Sequence, residues 1–291
     1  MKINRWSFGL LWCFFLGAAI TAQAQTPQPA KVSSEFSYNF SPVNQYNLEL
    51  MATYWNPILF YVSSTSGVRL NLRLGRTGLE TTAAVVAGES DFAFTNHLFS
   101  PDRVKLGWMV VARRDAPPVS GQIVVPALSP IKTLADLEGK TMTVPSPEAL
   151  IAYKVTLTHL SEKKINITSV FAGNSDAAFS QMFAGRADAM GVNSQLMTEY
   201  STREDRKLRV LWSSPPFHDL ALMASPRVPL AKVQAVAKAF IGMHKDPVGK
   251  LVLEAAANAV KTQNPISFVA STDADYADYR DFYRRAPASL R

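Results

Sequence analysis

The sequence holds a single cysteine, Cys13, in 291 residues. One thiol excludes an intrachain disulfide framework and a cysteine-rich zinc site. Long hydrophobic runs are scarce as well. The apolar stretch from Phe8 to Ile20, interrupted only by glycines, falls short of the roughly 20 apolar residues that cross a bilayer. The excess of one charge is small, 30 Lys+Arg against 23 Asp+Glu for a formal +7. It mildly favours anionic partners. No basic cluster with interleaved aromatics accompanies it, so nucleic acid is not an expected partner. Catalytic signatures are missing too: there is no Gly-x-Ser-x-Gly elbow, phosphate-cradling loop or dinucleotide glycine fingerprint. The four histidines, His97, His159, His218 and His244, show no metal-ligand spacing on a helix face. No catalytic residue, cofactor or metal is therefore expected. An enzyme reading would have to rest on His97 or His218.

What is present begins with an export pattern. Lys2 and Arg5 precede the apolar run, and Ala22-Gln23-Ala24 follows it as a small-x-small cleavage site. We expect a signal peptide over 1–24, with an uncleaved anchor as the alternative. A flexible leader over 25–33 follows, and the mature chain is expected to be exported.

The remaining chain alternates strand and helix patterns. Phe36 to Phe40 and Val68 to Leu72 alternate like strands, while Asp91 to Thr95 is a short apolar strand. A helix is expected from Leu48, with a second starting at Pro57. Gly67 and Gly88 stand where helices end. Ser146-Pro147-Glu148 reads as the start of a helix running to His159. Long helices follow over 230–243 and 248–260. Asp275 to Tyr279 reads as an amphipathic helix docking on the core. Arg113-Arg114 and the basic stretch from Arg203 to Arg209 read as solvated faces. The alternation predicts an α/β fold with mainly parallel sheets.

An internal echo refines this. Ala87-Gly88-Glu89-Ser90-Asp91-Phe92-Ala93 resembles Ala184-Gly185-Arg186-Ala187-Asp188-Ala189-Met190. In both, a helix ends at glycine and an aspartate opens a short strand. The same unit in each half predicts two lobes: 34–124, then 125–213, with 214–291 returning to the first. Crossovers fall near 124–128 and 212–217. Ligands of open α/β sheets bind at the carboxyl ends of strands. The candidate binding residues are accordingly Ser41, Asn44, Arg76, Thr77, Thr95, Asn96, His97, Ser146, Glu148, Asn174, Ser175 and Asn193. Arg76 is either a surface charge or a cleft cation. Glu148 either complements a helix dipole or faces the ligand. Tyr153 is either pocket wall or core.

Several segments, in order, resemble the periplasmic substrate-binding proteins of phosphate, phosphite and phosphonate ABC transporters. They are Trp55-Asn56-Pro57, Ala87 to Ala93, Ser129-Pro130-Ile131 with Leu134 to Thr141, Ala172-Gly173-Asn174, Ala184 to Ala189, and Asp246 to Lys250. The resemblance covers roughly residues 34–260. It implies the type II periplasmic-binding fold, with two lobes joined by a hinge. It implies capture of a phosphonate- or phosphate-like oxyanion, or a related organic molecule, by a monomer that serves an inner-membrane ABC permease. A sensory module of the same fold is the alternative. The pocket departs from the family pattern. Where phosphonate binders carry three hydroxyls at a strand exit, this chain has Ala149, Leu150 and Ile151. Thr95-Asn96 stands in place of the family's Tyr-Gly, and Asn174 in place of its histidine.

Overall fold

The computed structural model describes residues 36–262 and 266–290. The expected signal peptide and leader lie outside the described residues. The strands of the first sheet are β1 (Tyr38–Pro42), β2 (Leu70–Leu72), β3 (Phe92–Thr95), β4 (Met109–Arg114), β10 (Ala221–Ala224) and β11 (Phe268–Ala270). Those of the second are β5 (Val119–Pro126), β6 (Thr141–Val144), β7 (Thr168–Phe171), β8 (Ala189–Asn193) and β9 (Leu208–Phe217). Their orders are β11-β4-β10-β3-β1-β2 and β7-β6-β8-β5-β9. The helices are α1 (Leu48–Ser66), α2 (Gly78–Val86), α3 (Pro101–Val104), α4 (Thr156–Glu162), α5 (Ser175–Phe183), α6 (Ser194–Arg203), α7 (Leu230–Gly242), α8 (Pro247–Val260) and α9 (Ala277–Arg285).

Both sheets are mixed rather than mainly parallel. β1 pairs in parallel with β2 and β3, and β6 with β7 and β8, as helix crossovers dictate. β10 runs antiparallel to β3 and β4, and β5 antiparallel to β8 and β9. The chain passes between the sheets before β5 and after β9. The sequence boundaries 124/125 and 213/214 fall inside β5 and β9.

The echoed segments are one device used twice. Gly88 and Gly185 end their helices at φ of 76° and 70°, a conformation that side-chain-free glycine adopts at little cost. The aspartate three residues on then clamps a strand start. Asp91 Oδ2 accepts from the Asn39 N–H at 2.8 Å, and Asp188 Oδ2 from the Thr141 N–H at 2.9 Å. Each aspartate's own N–H bonds back to the same residue's carbonyl.

Two helices differ from the sequence reading. α1 is continuous through Pro57. Proline in a helix interior costs about 3 kcal/mol. Here Met51, Tyr54, Trp55, Ile58, Leu59 and Val62 bury one unbroken face across it, at roughly 1.5–3 kcal/mol per large side chain, and packing prevails. No regular helix starts at Ser146. A π-helical turn spans Leu150–Val155 and then runs into α4. The Ala149 carbonyl accepts from two donors, the Tyr153 N–H four residues on at 2.9 Å and the Lys154 N–H five residues on at 3.1 Å, and the second is the wide bond. α3, α6 and β11 were not anticipated. α9 does dock by its apolar stripe, burying Tyr279, Phe282 and Tyr283. Arg114 is not a solvated charge. It is buried, and it pairs with buried Asp219.

Candidate functional site

Glycines place the wall of the site. A Cβ on Gly191 in β8 would meet the Ala152 carbonyl oxygen at 2.1 Å, and one on Gly121 in β5 would meet that of Ile151 at 2.5 Å. The π-helical turn therefore lies directly on the second sheet. From the first sheet come the segment after β1, the start of α2 and the segment after β3. Between these walls lies a cavity of about 60 Å³. A water needs roughly 10–15 Å³ of such space, so there is room for a handful of heavy atoms.

The strand exits supply its polar groups. Asn44, Asn96, His97, Ser146, Ser175 and Asn193 line it, with Ala149. All of these but Ala149 are buried. Several are held by the fold. The Asn44 amide donates to the Gly75 carbonyl at 3.0 Å, and its oxygen accepts from Thr81 at 2.6 Å. Asn193 caps α6 by accepting from the Gln195 and Leu196 amides. The Ser146 hydroxyl accepts from the Glu148 N–H at 3.1 Å. His97 Nδ1 lies 2.7 Å from the Thr82 hydroxyl. Burial drives the imidazole pKa down to about 3, so the ring is neutral at physiological pH.

Other predicted residues stand behind the wall or away from it. Thr77 and Asn174 cap α2 and α5, and the backbone next to each joins the sheets: the Gly78 N–H donates to the Gly173 carbonyl at 2.9 Å. The Thr95 hydroxyl accepts from the His97 N–H. Ser41 bonds to Ser90 at 2.7 Å. Arg76 is exposed and faces Glu80. Tyr153 packs edge-on against Phe171, with centroids 5.1 Å apart. Glu148 pairs with Arg103 of α3. Burial acts to raise its pKa, but the hydrogen bonds and charge of Arg103 bring it below the ordinary carboxylate value.

Beside Leu150 and Ile151, which the sequence reading places in the pocket, the apolar wall holds three residues it missed, Val43, Leu196 and Leu220. An isolated aliphatic residue gives no signal that separates a cleft from a core. It also missed the ties across the cleft. The Tyr46 hydroxyl donates to Glu199 at 2.7 Å, and the Asn47 N–H to Asp176 at 3.0 Å. A larger groove of about 370 Å³ lies among α4, β9 and α9, where His159 stacks on Trp212 at 4.1 Å; it lies outside these strand exits. Among the described residues no group of three or more His, Cys, Asp or Glu is placed to hold a metal ion. No described helix is long and apolar enough to cross a membrane.

Comparisons with known proteins agree with this geometry. A binding-protein component of an ABC phosphonate transporter from Pseudomonas aeruginosa superposes with a TM-score of 0.74 at 15% identity, over 88% of this chain and 89% of that one. A phosphonate-binding protein from Prochlorococcus marinus, solved with methylphosphonate, gives 0.69 at 15% identity, over 86% and 97%. A Xanthomonas citri protein solved with ATP gives 0.63 at 13%, over 87% and 96%. These likenesses show the fold, that of type II periplasmic binding proteins. A search of curated protein sequences returned no match. The family profile described as "ABC transporter, phosphonate, periplasmic substrate-binding protein" matches residues 40–276. That span takes in both sheets and the whole cleft wall, and it assigns the molecule to transport rather than catalysis: the chain belongs to the phosphonate-binding family of periplasmic ABC-transporter substrate-binding proteins.

Proposed function

We propose that this protein captures a small solute, a phosphonate- or phosphate-like oxyanion or a related organic molecule, in the cavity between its sheets. It then delivers the solute to an inner-membrane ABC permease. One observation carries the reading: the cavity wall is assembled from strand exits of both sheets. Relative movement of the sheets would enclose or release whatever sits there. β5 and β9 adjoin both passages between the sheets and are the natural hinge, dividing the chain into lobes near 124/125 and 213/214. The protein acts as a monomer, and residues 1–24 serve as its cleavable export signal. Ser146, Ser175, Asn193, Asn96 and His97 are the groups that would touch the solute. Asn174 and Thr77 would position the helix starts behind it.

Calorimetry tests this on the exported chain, with inorganic phosphate, methylphosphonate, methanesulfonate and small carboxamides as titrants. At least one should bind the wild type and fail to bind Ala149→Trp, which fills the cavity from a half-buried position. Equal binding by both proteins, or no binding at all, would contradict the proposal.

A further inference from the structure

Among the described residues, the lining of the cavity carries no charged side chain, no Lys, Arg, Asp or Glu. Helix starts meet at the cavity, and their positive ends would ordinarily attract an anion. Three of these starts carry a carboxylate, Glu80 in the first turn of α2, Asp176 in that of α5 and Glu148 before the π-helical turn, while α6, capped by the lining residue Asn193, has no acid in its first turn. Each carboxylate has its own arginine, respectively Arg76, Arg203 and Arg103. Arg114, beside the cleft residue Gln45, is held by Asp219. Lys154 and Glu199, both buried, are of opposite sign, and neither lines the cavity. The Lys154 ammonium sits 5.2 Å from the centre of the Tyr283 ring, and Glu199 accepts from Tyr46.

A dianion entering this space would shed its water for a few neutral donors set in a largely aliphatic wall, which is costly in a small buried site. The walls of Val43, Leu150, Ile151, Leu196 and Leu220 suit an apolar group instead. The hydroxyls of Ser146 and Ser175 and the amide nitrogen of Asn193 can donate to a neutral oxygen. So can the first N–H groups of the turn starting at Leu150, which have no acceptor within it.

We infer that the cavity takes an uncharged solute, carrying a hydrogen-bond-accepting oxygen and a short apolar part, in preference to a phosphonate or phosphate dianion. This rests on the capture reading above and narrows it to a ligand class. Neutral His97 fits the same balance, because it adds no cation.

The test is a titration series matched in shape: methylphosphonate, methanesulfonate and methanesulfonamide, with inorganic phosphate and acetamide alongside, at low and high salt. Methanesulfonamide or acetamide should bind at least about tenfold more tightly than methylphosphonate. That affinity should not change with salt, since no ion pair forms on binding. In Glu148→Gln the Arg103 charge loses its partner, and methylphosphonate affinity should rise by about tenfold or more. If methylphosphonate binds the wild type most tightly and Ala149→Trp abolishes that binding, the inference is overturned while capture in the cleft stands. Binding that survives Ala149→Trp, or silence across the series, removes the capture reading and this inference with it.

Discussion

Arg103 and Glu148 form a two-pronged ion pair across the cleft, Nη1 to Oε2 at 2.5 Å and Nη2 to Oε1 at 2.8 Å. Arg103 also donates to the His97 carbonyl at 2.9 Å. One guanidinium thus ties the short helix after β3 to the turn after β6. Both side chains are mostly shielded, at 23% and 15% exposure, so the pair is worth more than a solvated one. Arg103→Met should lower stability by about 1–3 kcal/mol, read as a shift in the urea midpoint. An unchanged midpoint would show that the pair does not hold the sheets together.

The buried imidazole of His97 makes the protein acid-sensitive. Its pKa falls from 6.5 to about 3 in the fold, chiefly through burial. The unfolded chain therefore binds more protons between these values, and stability rises with pH across that window. Going down in pH, the contribution is full above about 6.5 and is lost progressively towards 3, a few kcal/mol in all. Glu148, with its lowered pKa, loses its contribution in the same direction, as pH falls through its folded value. His97→Gln should flatten the stability profile between pH 6.5 and 4 in urea titrations at stepped pH. A profile as steep as that of the wild type would contradict the assignment.

Arg114 and Asp219 are 4% and 2% exposed at the side chain. Asp219 Oδ1 has no hydrogen-bond partner among the described residues, so the arginine depends on the other oxygen. Asp219→Ala strands a buried guanidinium and should cost about 3–5 kcal/mol. A loss below about 1 kcal/mol would show that Arg114 reaches water or another partner.

Gly191 allows the close approach of the cleft wall. An added methyl meets a backbone oxygen, which cannot swing away as a side chain can. Gly191→Ala should displace the π-helical turn, cost about 1–3 kcal/mol and weaken solute binding. Thermal melts and calorimetry on the same variant check both parts. Wild-type binding in a fully folded variant would mean the turn does not form the site.

The elements legible in the sequence were those with a local cause. The glycine-aspartate unit was readable because one residue needs positive φ and the next clamps a neighbouring strand, as Gly88-Asp91 and Gly185-Asp188 do. Strand exits followed from the α/β pattern, and this brought Asn44, Asn96, His97, Ser146, Ser175 and Asn193 to one cavity. What stayed hidden depends on distant partners. Arg114 looked solvated because Asp219 lies 105 residues away in sequence. The break expected at Pro57 disappears only once a core supports both halves of α1. Ser146-Pro147-Glu148 has the residues of a helix start, yet Glu148 is taken up by Arg103, and the turn is wound wide against Gly121 and Gly191. Leu150 and Ile151, at 0% and 4% exposure, pack into the core while they line the cavity. Replacing them with hydroxyls would trade core burial for polarity.

The central claim is that a solute sits between the two sheets. Native mass spectrometry of freshly purified protein, wild type beside Ala149→Trp, tests it most directly. The account predicts a small retained mass on the wild type that is absent from the variant. The same mass on both proteins, or none on the wild type even after incubation with the titration series, would contradict it.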